Sequence, residues 1–218
     1  MTGPVLVVVA HPDDEVLGCG GTMAKWAREG RDVHVLIMAD GETARGDVPT
    51  EARSQAAVAA GQTLGVASVE QLTLPDNRMD RLELLDVVQM IEARISKIQP
   101  TTILTHHAGD VNVDHRIVHQ AILAACRPQP GHCVRELLYF EVPSSTEWQA
   151  PGTFAPTVFV DIDGTLDEKM DALECYDAEM RAFPHARSYG AVDALTRWRG
   201  ATAGVYHAEA FMLGRLIA

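Results

Sequence analysis

Residues Val5 to Val9 form an unbroken apolar run, mostly valine, and the chain then turns at once to His11-Pro12-Asp13-Asp14-Glu15. A β-branched run without polar alternation is how a strand buried on both faces reads. Gly20-Gly21 then opens a helical stretch, Thr22 to Arg28. His11, Asp13, Asp14 and Glu15 are thereby expected where a buried strand hands over to a helix. In open α/β sheets that end of a strand lines the ligand crevice. Charged side chains crowded beside a core are costly unless something pairs with them. Here a cation would fit that need.

The remaining pattern alternates strands and helices. Strands are predicted at 5–10, 32–38, 69–74, 101–105, 136–142 and 157–162, with helices at 21–28, 51–64, 82–97, 114–126, 166–180 and 189–199. The segment 39–50 reads as a loop and the residues after 199 as a tail. The clearest helix keeps Leu84, Val88, Ile91 and Ile95 on one face. Such alternation calls for a mostly parallel sheet with right-handed crossovers, an α/β Rossmann-like three-layer sandwich. In a Rossmann-like order the first and fourth strands are neighbours at the switch point, so their polar tips can share one site.

The chain has 218 residues, which fits one domain spanning 1–218. Its net charge of −12, with no basic block, argues against nucleic acid or an anionic membrane as partner. No apolar run approaches the ~20 residues that span a bilayer, and no leader-like segment precedes the first strand. A cytoplasmic location is therefore expected. Cys19, Cys126, Cys133 and Cys175 show no paired metal spacing and read as free thiols. The glycines after the first strand do not form GxGxxG, so nucleotide binding is weakly supported.

The tip of the fourth strand carries a second cluster, residues 105–121, THHAGDVNVDHRIVHQA. The first stretch, AHPDDEVLGCGG, resembles the signature of the LmbE-like (PIG-L) family of zinc-dependent N-deacetylases, and the second stretch resembles that family's Asp-His motif at the head of a helix. The resemblance implies that His11, Asp14 and His115 bind zinc and that Asp13 is the general base. Two imidazoles and one carboxylate are a three-ligand set that leaves a position for water, and iron(II) or cobalt can share such a site. Two close carboxylates, Asp13 and Asp14, would repel each other without a cation between them. Glu15 reads as a group that holds the turn through backbone donors.

The chain departs from the family at Asn112, where many members carry a histidine. An Asn amide can donate a hydrogen bond to an oxyanion but cannot deliver a proton. The leaving amine then needs another acid, with Asp13 preferred and His185 or His106 as alternatives. His106 otherwise reads as a substrate-side group or a simple end to its strand. Asp110 and Asp114 read as residues that orient the ligand imidazole, or as local turn and cap formers. Arg53 stands where family members often have an arginine; it could reach a substrate hydroxyl or phosphate, and it could equally be a surface residue. Asp40-Gly41-Glu42 is expected at the pocket rim, and the 206–211 stretch resembles the family's closing motif. The resemblance implies hydrolysis of an N-acetylated amino sugar, a small-molecule partner, with a homo-oligomer possible. The competing readings are a metal-binding member without turnover, acting as a small-molecule binding protein, and a nucleotide-binding protein.

Overall fold

A computed structural model of the chain describes residues 2–39, 41, 50–148 and 153–218. Strands β1 (Val5–Val9), β2 (Val33–Ala39), β3 (Ser68–Leu74), β4 (Thr102–His106) and β5 (Glu136–Phe140) are parallel. Two antiparallel strands, β6 (Val158–Asp161) and β7 (Ala208–Leu216), complete a seven-stranded sheet of order β3-β2-β1-β4-β5-β7-β6. The α/β class and the adjacency of β1 and β4 are as the sequence pattern implies. Val5 pairs with Val33 on one side and with Thr102 on the other, which puts β1 at the switch point.

Alternate residues of β1 enter two different cores, which explains why its sequence shows no polar alternation. Val5, Val7 and Val9 pack with Val16, Leu17 and Met23 of helix α1 (Asp14–Arg28) and with Ala57 and Ala60 of α2 (Thr50–Thr63). Leu6 and Val8 pack with Val88 and Ile91 of α3 (Leu84–Ile98) and with Val118 and Ile122 of α4 (Val113–Ala125). Helices α5 (Leu166–Glu174) and α6 (Tyr189–Ala203) join the α1 face through Leu173 and Val192. Each fully buried side chain of β1 contributes about 1.5–3 kcal/mol. None of the described helices is long and apolar enough to cross a membrane.

Three expectations are corrected. The first concerns α1, which starts at Asp14 and not at Gly21. It is two helical segments joined at Cys19, whose φ of −151° and ψ of 25° are not helical. The break is held by groups distant in sequence. Lys169 Nζ donates to the carbonyls of Val16 and Leu17, both at 2.9 Å. Glu209 accepts from the amides of Gly21 at 3.0 Å and Thr22 at 2.7 Å. One buried side chain thus ends the first segment and the other begins the second, satisfying backbone groups a helix end would leave bare. Gly18 sits against β5, and a Cβ there would lie 2.3 Å from the Phe140 ring.

The second correction concerns the predicted tail, which contains β7. That strand inserts between β5 and β6, burying Ala208, Glu209, Ala210 and Phe211. The helix predicted to Met180 ends at Glu174, and a 3₁₀ turn, Asp177–Glu179, follows. The loop predicted at 39–50 lies mostly outside the described residues, as do Asp40 and Glu42. The four cysteines are free thiols.

Candidate metal centre and its cleft

The tips of β1 and β4 meet because the strands are paired, and the amide of Ala10 donates to His106 Nε2 at 2.9 Å. Beyond β1 the chain turns through Asp13, whose φ of 104° is rare for a residue with a side chain. Asp13 is the N-cap of α1, and its carbonyl accepts from Val16 and Leu17. The side chains of Asp13 and Asp14 take different partners: Arg187 for Asp13, His11 and His115 for Asp14. Beyond β4, Asn112 caps α4, and the first turn of that helix carries Asp114 and His115.

Three atoms converge. His11 Nδ1 lies 3.4 Å from Asp14 Oδ2, His115 Nε2 lies 3.2 Å from the same oxygen, and the two ring nitrogens are 3.3 Å apart. A tetrahedron whose centre is about 2.0–2.1 Å from each corner has an edge of about 3.3–3.4 Å. The triangle therefore has the dimensions of one face of a zinc coordination sphere. Both imidazoles are set to present lone pairs to it. His11 Nε2 faces Asp114 Oδ2 at 3.0 Å and Asp76 Oδ1 at 3.1 Å, which places the proton there and leaves Nδ1 bare. His115 Nδ1 lies 3.2 Å from Asp110 Oδ2, which leaves Nε2 bare. Two ring nitrogens and a carboxylate oxygen converging on one point call for a positive charge between them, a proton or a metal ion. Asp14 Oδ1 is also buried without a hydrogen-bond partner, the kind of orphan a cation satisfies. These residues fit a divalent metal.

The supporting carboxylates are themselves held. Asp114 accepts from the amides of Asn77 at 2.7 Å and Met79 at 3.0 Å. Asp110 accepts from Thr146 Oγ1 at 2.7 Å, from the Asn112 amide at 2.8 Å and from Ser145 Oγ. Burial opposes ionisation of Asp110, but the bonds from His115 and Ser145 outweigh it and hold the carboxyl below its usual range. Burial likewise opposes a charged His115, yet the Asp14 and Asp110 carboxylates raise its pKa to about 9. A field that favours a proton at this point also favours a metal ion. Asp76, Asp114 and His11 form a second acidic group, but both Asp114 oxygens are already filled by backbone donors.

Asp13 lies beside the triangle and in the same cleft. The described residues lining it include Asp13, Asp14, Arg53, Asn77, Asn112 and Arg187. Asp13 Oδ2 accepts from Arg187 Nη1 at 2.8 Å. Burial raises the Asp13 pKa to about 6, against the opposing charge of Arg187. Behind it, Glu15 accepts from the Asp13 amide at 3.2 Å and from the Tyr176 hydroxyl at 2.6 Å, and burial pushes its pKa up to about 8. Glu15 thus holds the turn and does not face the triangle.

Other expected site residues sit differently. His106 is fully buried beneath the site, stacked on His115 with ring centres 3.9 Å apart, and does not line the cleft. Its placement is a correction: a strand-end residue facing inward packs under the ligands and cannot meet a substrate. His185 is exposed and outside the cleft, its Nδ1 accepting from the Arg187 amide at 3.0 Å. Asn112 lines the cleft, but its Oδ1 caps Asp114 at 2.8 Å and its Nδ2 donates to Asn77 Oδ1 at 3.0 Å. Arg53 lines the cleft with its guanidinium bonded to the Gly41 carbonyl and the Glu179 carboxylate.

Sequence reasoning missed Arg187, Asp76 and the turn 143–147. That turn follows β5 and contains Ser144, whose φ is 72°. Glu147 accepts from the amides of Ser144 at 2.7 Å and Ser145 at 3.1 Å. Ser144 Oγ accepts from Arg187 Nε at 3.2 Å, while Ser145 and Thr146 donate to Asp110. A signal for Asp76 was present, since Pro75-Asp76-Asn77 follows β3 on the same edge of the sheet.

The family model described as PIG-L, GlcNAc-PI de-N-acetylase, matches residues 6–126, more than half of the chain. The chain belongs to the PIG-L (LmbE-like) family. It is 31% identical over 161 residues to the "Uncharacterized deacetylase YaiS" of Escherichia coli, covering 71% of this chain and 80% of that one. It is 30% identical over 195 residues to the "4-oxalmesaconate hydratase" of Pseudomonas putida, covering 78% of this chain and 71% of that one. The crystal structure of conserved protein TT1542 from Thermus thermophilus has the same fold, with a TM-score of 0.80 and 24% identity over 98% of this chain and 96% of that one.

Proposed function

We propose that the chain is a metal-dependent hydrolase that removes the acetyl group from an N-acetylated amino sugar. The observation that carries this reading is the convergence of His11 Nδ1, Asp14 Oδ2 and His115 Nε2 beside Asp13 in one cleft. The family description, which names de-N-acetylation of a GlcNAc compound, supports the reaction class. So does the deacetylase from Escherichia coli.

His11, Asp14 and His115 hold the ion, and their donor set suits zinc, with iron(II) or cobalt as chemical alternatives. A divalent ion so held supplies Lewis acidity to water and to the amide carbonyl. Asp13 takes one proton from the attacking water as its oxygen bonds to the carbonyl carbon. The carbonyl electron pair moves to oxygen. When it returns, the C–N bond breaks, its pair leaves with nitrogen, and Asp13 gives the proton to the amine. Asp110, Asp114 and Asp76 keep the two imidazoles in register. Arg53 rims the sugar side of the cleft.

The test is amine release from a panel of N-acetylglucosamine glycosides, run beside a metal analysis of the purified protein. Release should occur, stop with a chelator and return with zinc. A metal-replete protein that frees amine from no member of the panel would refute the reading. The hydratase relative favours a second reading, water addition to an unsaturated carboxylate. Loss of the conjugated ultraviolet band of such a compound would reveal it.

A further inference from the structure

Amide hydrolysis builds negative charge on the carbonyl oxygen, and a cleft for it needs a hydrogen-bond donor not committed elsewhere. Ser145 donates to Asp110. Asn77 Nδ2 gives one hydrogen to Asp76 at 2.8 Å and Asn112 Nδ2 gives one to Asn77, so each neutral amide keeps one. Arg53 spends both terminal nitrogens on Gly41 and Glu179, and its Nε is buried. Arg187 is the cation of the cleft with a terminal nitrogen to spare. Its Nη1 goes to Asp13 and its Nε to Ser144, and Nη2 has no acceptor among the described residues.

We propose that Arg187 is a catalytic residue that donates through Nη2 to the developing oxyanion while Nη1 aligns Asp13. The assignment rests on the deacetylase reading above. The expected alternatives are placed less well, because Asn112 Oδ1 caps α4 while its Nδ2 gives a hydrogen to Asn77, and the His185 ring lies outside the cleft. A guanidinium suits the task for reasons of shape. It stays charged, and its planar fork can serve a carboxylate, a hydroxyl and a third acceptor together. An ammonium group has no such fork. The fork is also fixed in place, since Ser144 is itself held by Glu147.

The experiment compares the metal-loaded wild type with Arg187→Ala and Arg187→Lys. Four quantities are read: metal content, the dissociation constant for acetate by calorimetry, and kcat and KM for an N-acetyl sugar from the panel. Metal content should be unchanged in both variants. Acetate, the carboxylate product, should bind at least about tenfold more weakly to each, as expected on losing a charge-assisted bond. The kcat of Arg187→Ala should fall about 10²–10³-fold, with KM moving far less, and methylguanidine should restore part of it. Arg187→Lys keeps charge and bulk, so it decides the question if the alanine variant does not fold. Its kcat should recover less than about a tenth of the loss. Acetate binding and kcat within threefold of wild type in the lysine variant, or a wild type that binds no acetate, would overturn the assignment. If the wild type cleaves no N-acetyl sugar, the deacetylase reading fails, and the acetate comparison still decides whether Arg187 is the anion donor.

Discussion

Lys169 Nζ and Glu209 Oε1 lie 2.5 Å apart inside the break of α1, and both side chains are almost wholly buried. A buried ion pair of similar size to apolar residues is often replaceable by them without loss. This pair is different, because it also satisfies two carbonyls and two amides of the split helix. Lys169→Met should therefore cost about 3–5 kcal/mol, read as a shift of the urea midpoint. The double variant Lys169→Met, Glu209→Leu should remain destabilised, since four backbone groups lose their partners. Full recovery in the double variant would show that the capping role is unimportant.

Asp13 and Asp14 are neighbours in sequence with separate tasks in the proposed reaction. Asp13→Asn should keep wild-type metal content and lose about 10²–10⁴-fold in kcat. Asp14→Asn should lose the metal itself. Elemental analysis beside a rate measurement separates the two, and near-normal turnover in Asp13→Asn would remove it as the base.

Asp110 does not itself line the cleft but lies 3.2 Å from His115 Nδ1. Asp110→Asn frees the ring to adopt the other tautomer and should weaken metal binding about 10–100-fold. Competition against a chelating dye measures this. An unchanged affinity would mean that the backbone of α4 alone fixes the ring.

Gly18 allows α1 to rest on the Phe140 ring. Gly18→Ala places a methyl 2.3 Å from that ring and should cost about 1–3 kcal/mol, recovered in part by Phe140→Leu. Thermal unfolding of the single and double variants gives the answer.

The metal triangle was legible because the chemistry sits next to the strongest structural signal in the chain. A buried apolar run ends, and charged residues follow, at β1 and again at β4. The start of α1 was hidden because Asp14 to Gly18 has little helical character alone, and the break at Cys19 is held by Lys169 and Glu209 far along the chain. The same Glu209 obscured β7, where a buried acid and Gly214 interrupt the apolar alternation. Arg187 escaped notice for a related reason. Its peptide also contains His185, a more reactive-looking side chain, and only the turn of the backbone shows which of the two faces inward.

The turn at 143–147 has a consequence for how this cleft can diverge. Ser144 reaches Arg187, which holds Asp13, and its neighbour Ser145 reaches Asp110 behind the His115 imidazole. The loop after β5 and the 3₁₀ turn Thr146–Trp148 that ends it therefore hold both sides of the cleft in mutual alignment. Remodelling that turn to reshape the cleft would disturb both sets of contacts at once, so the cleft should diverge more readily from the opposite rim.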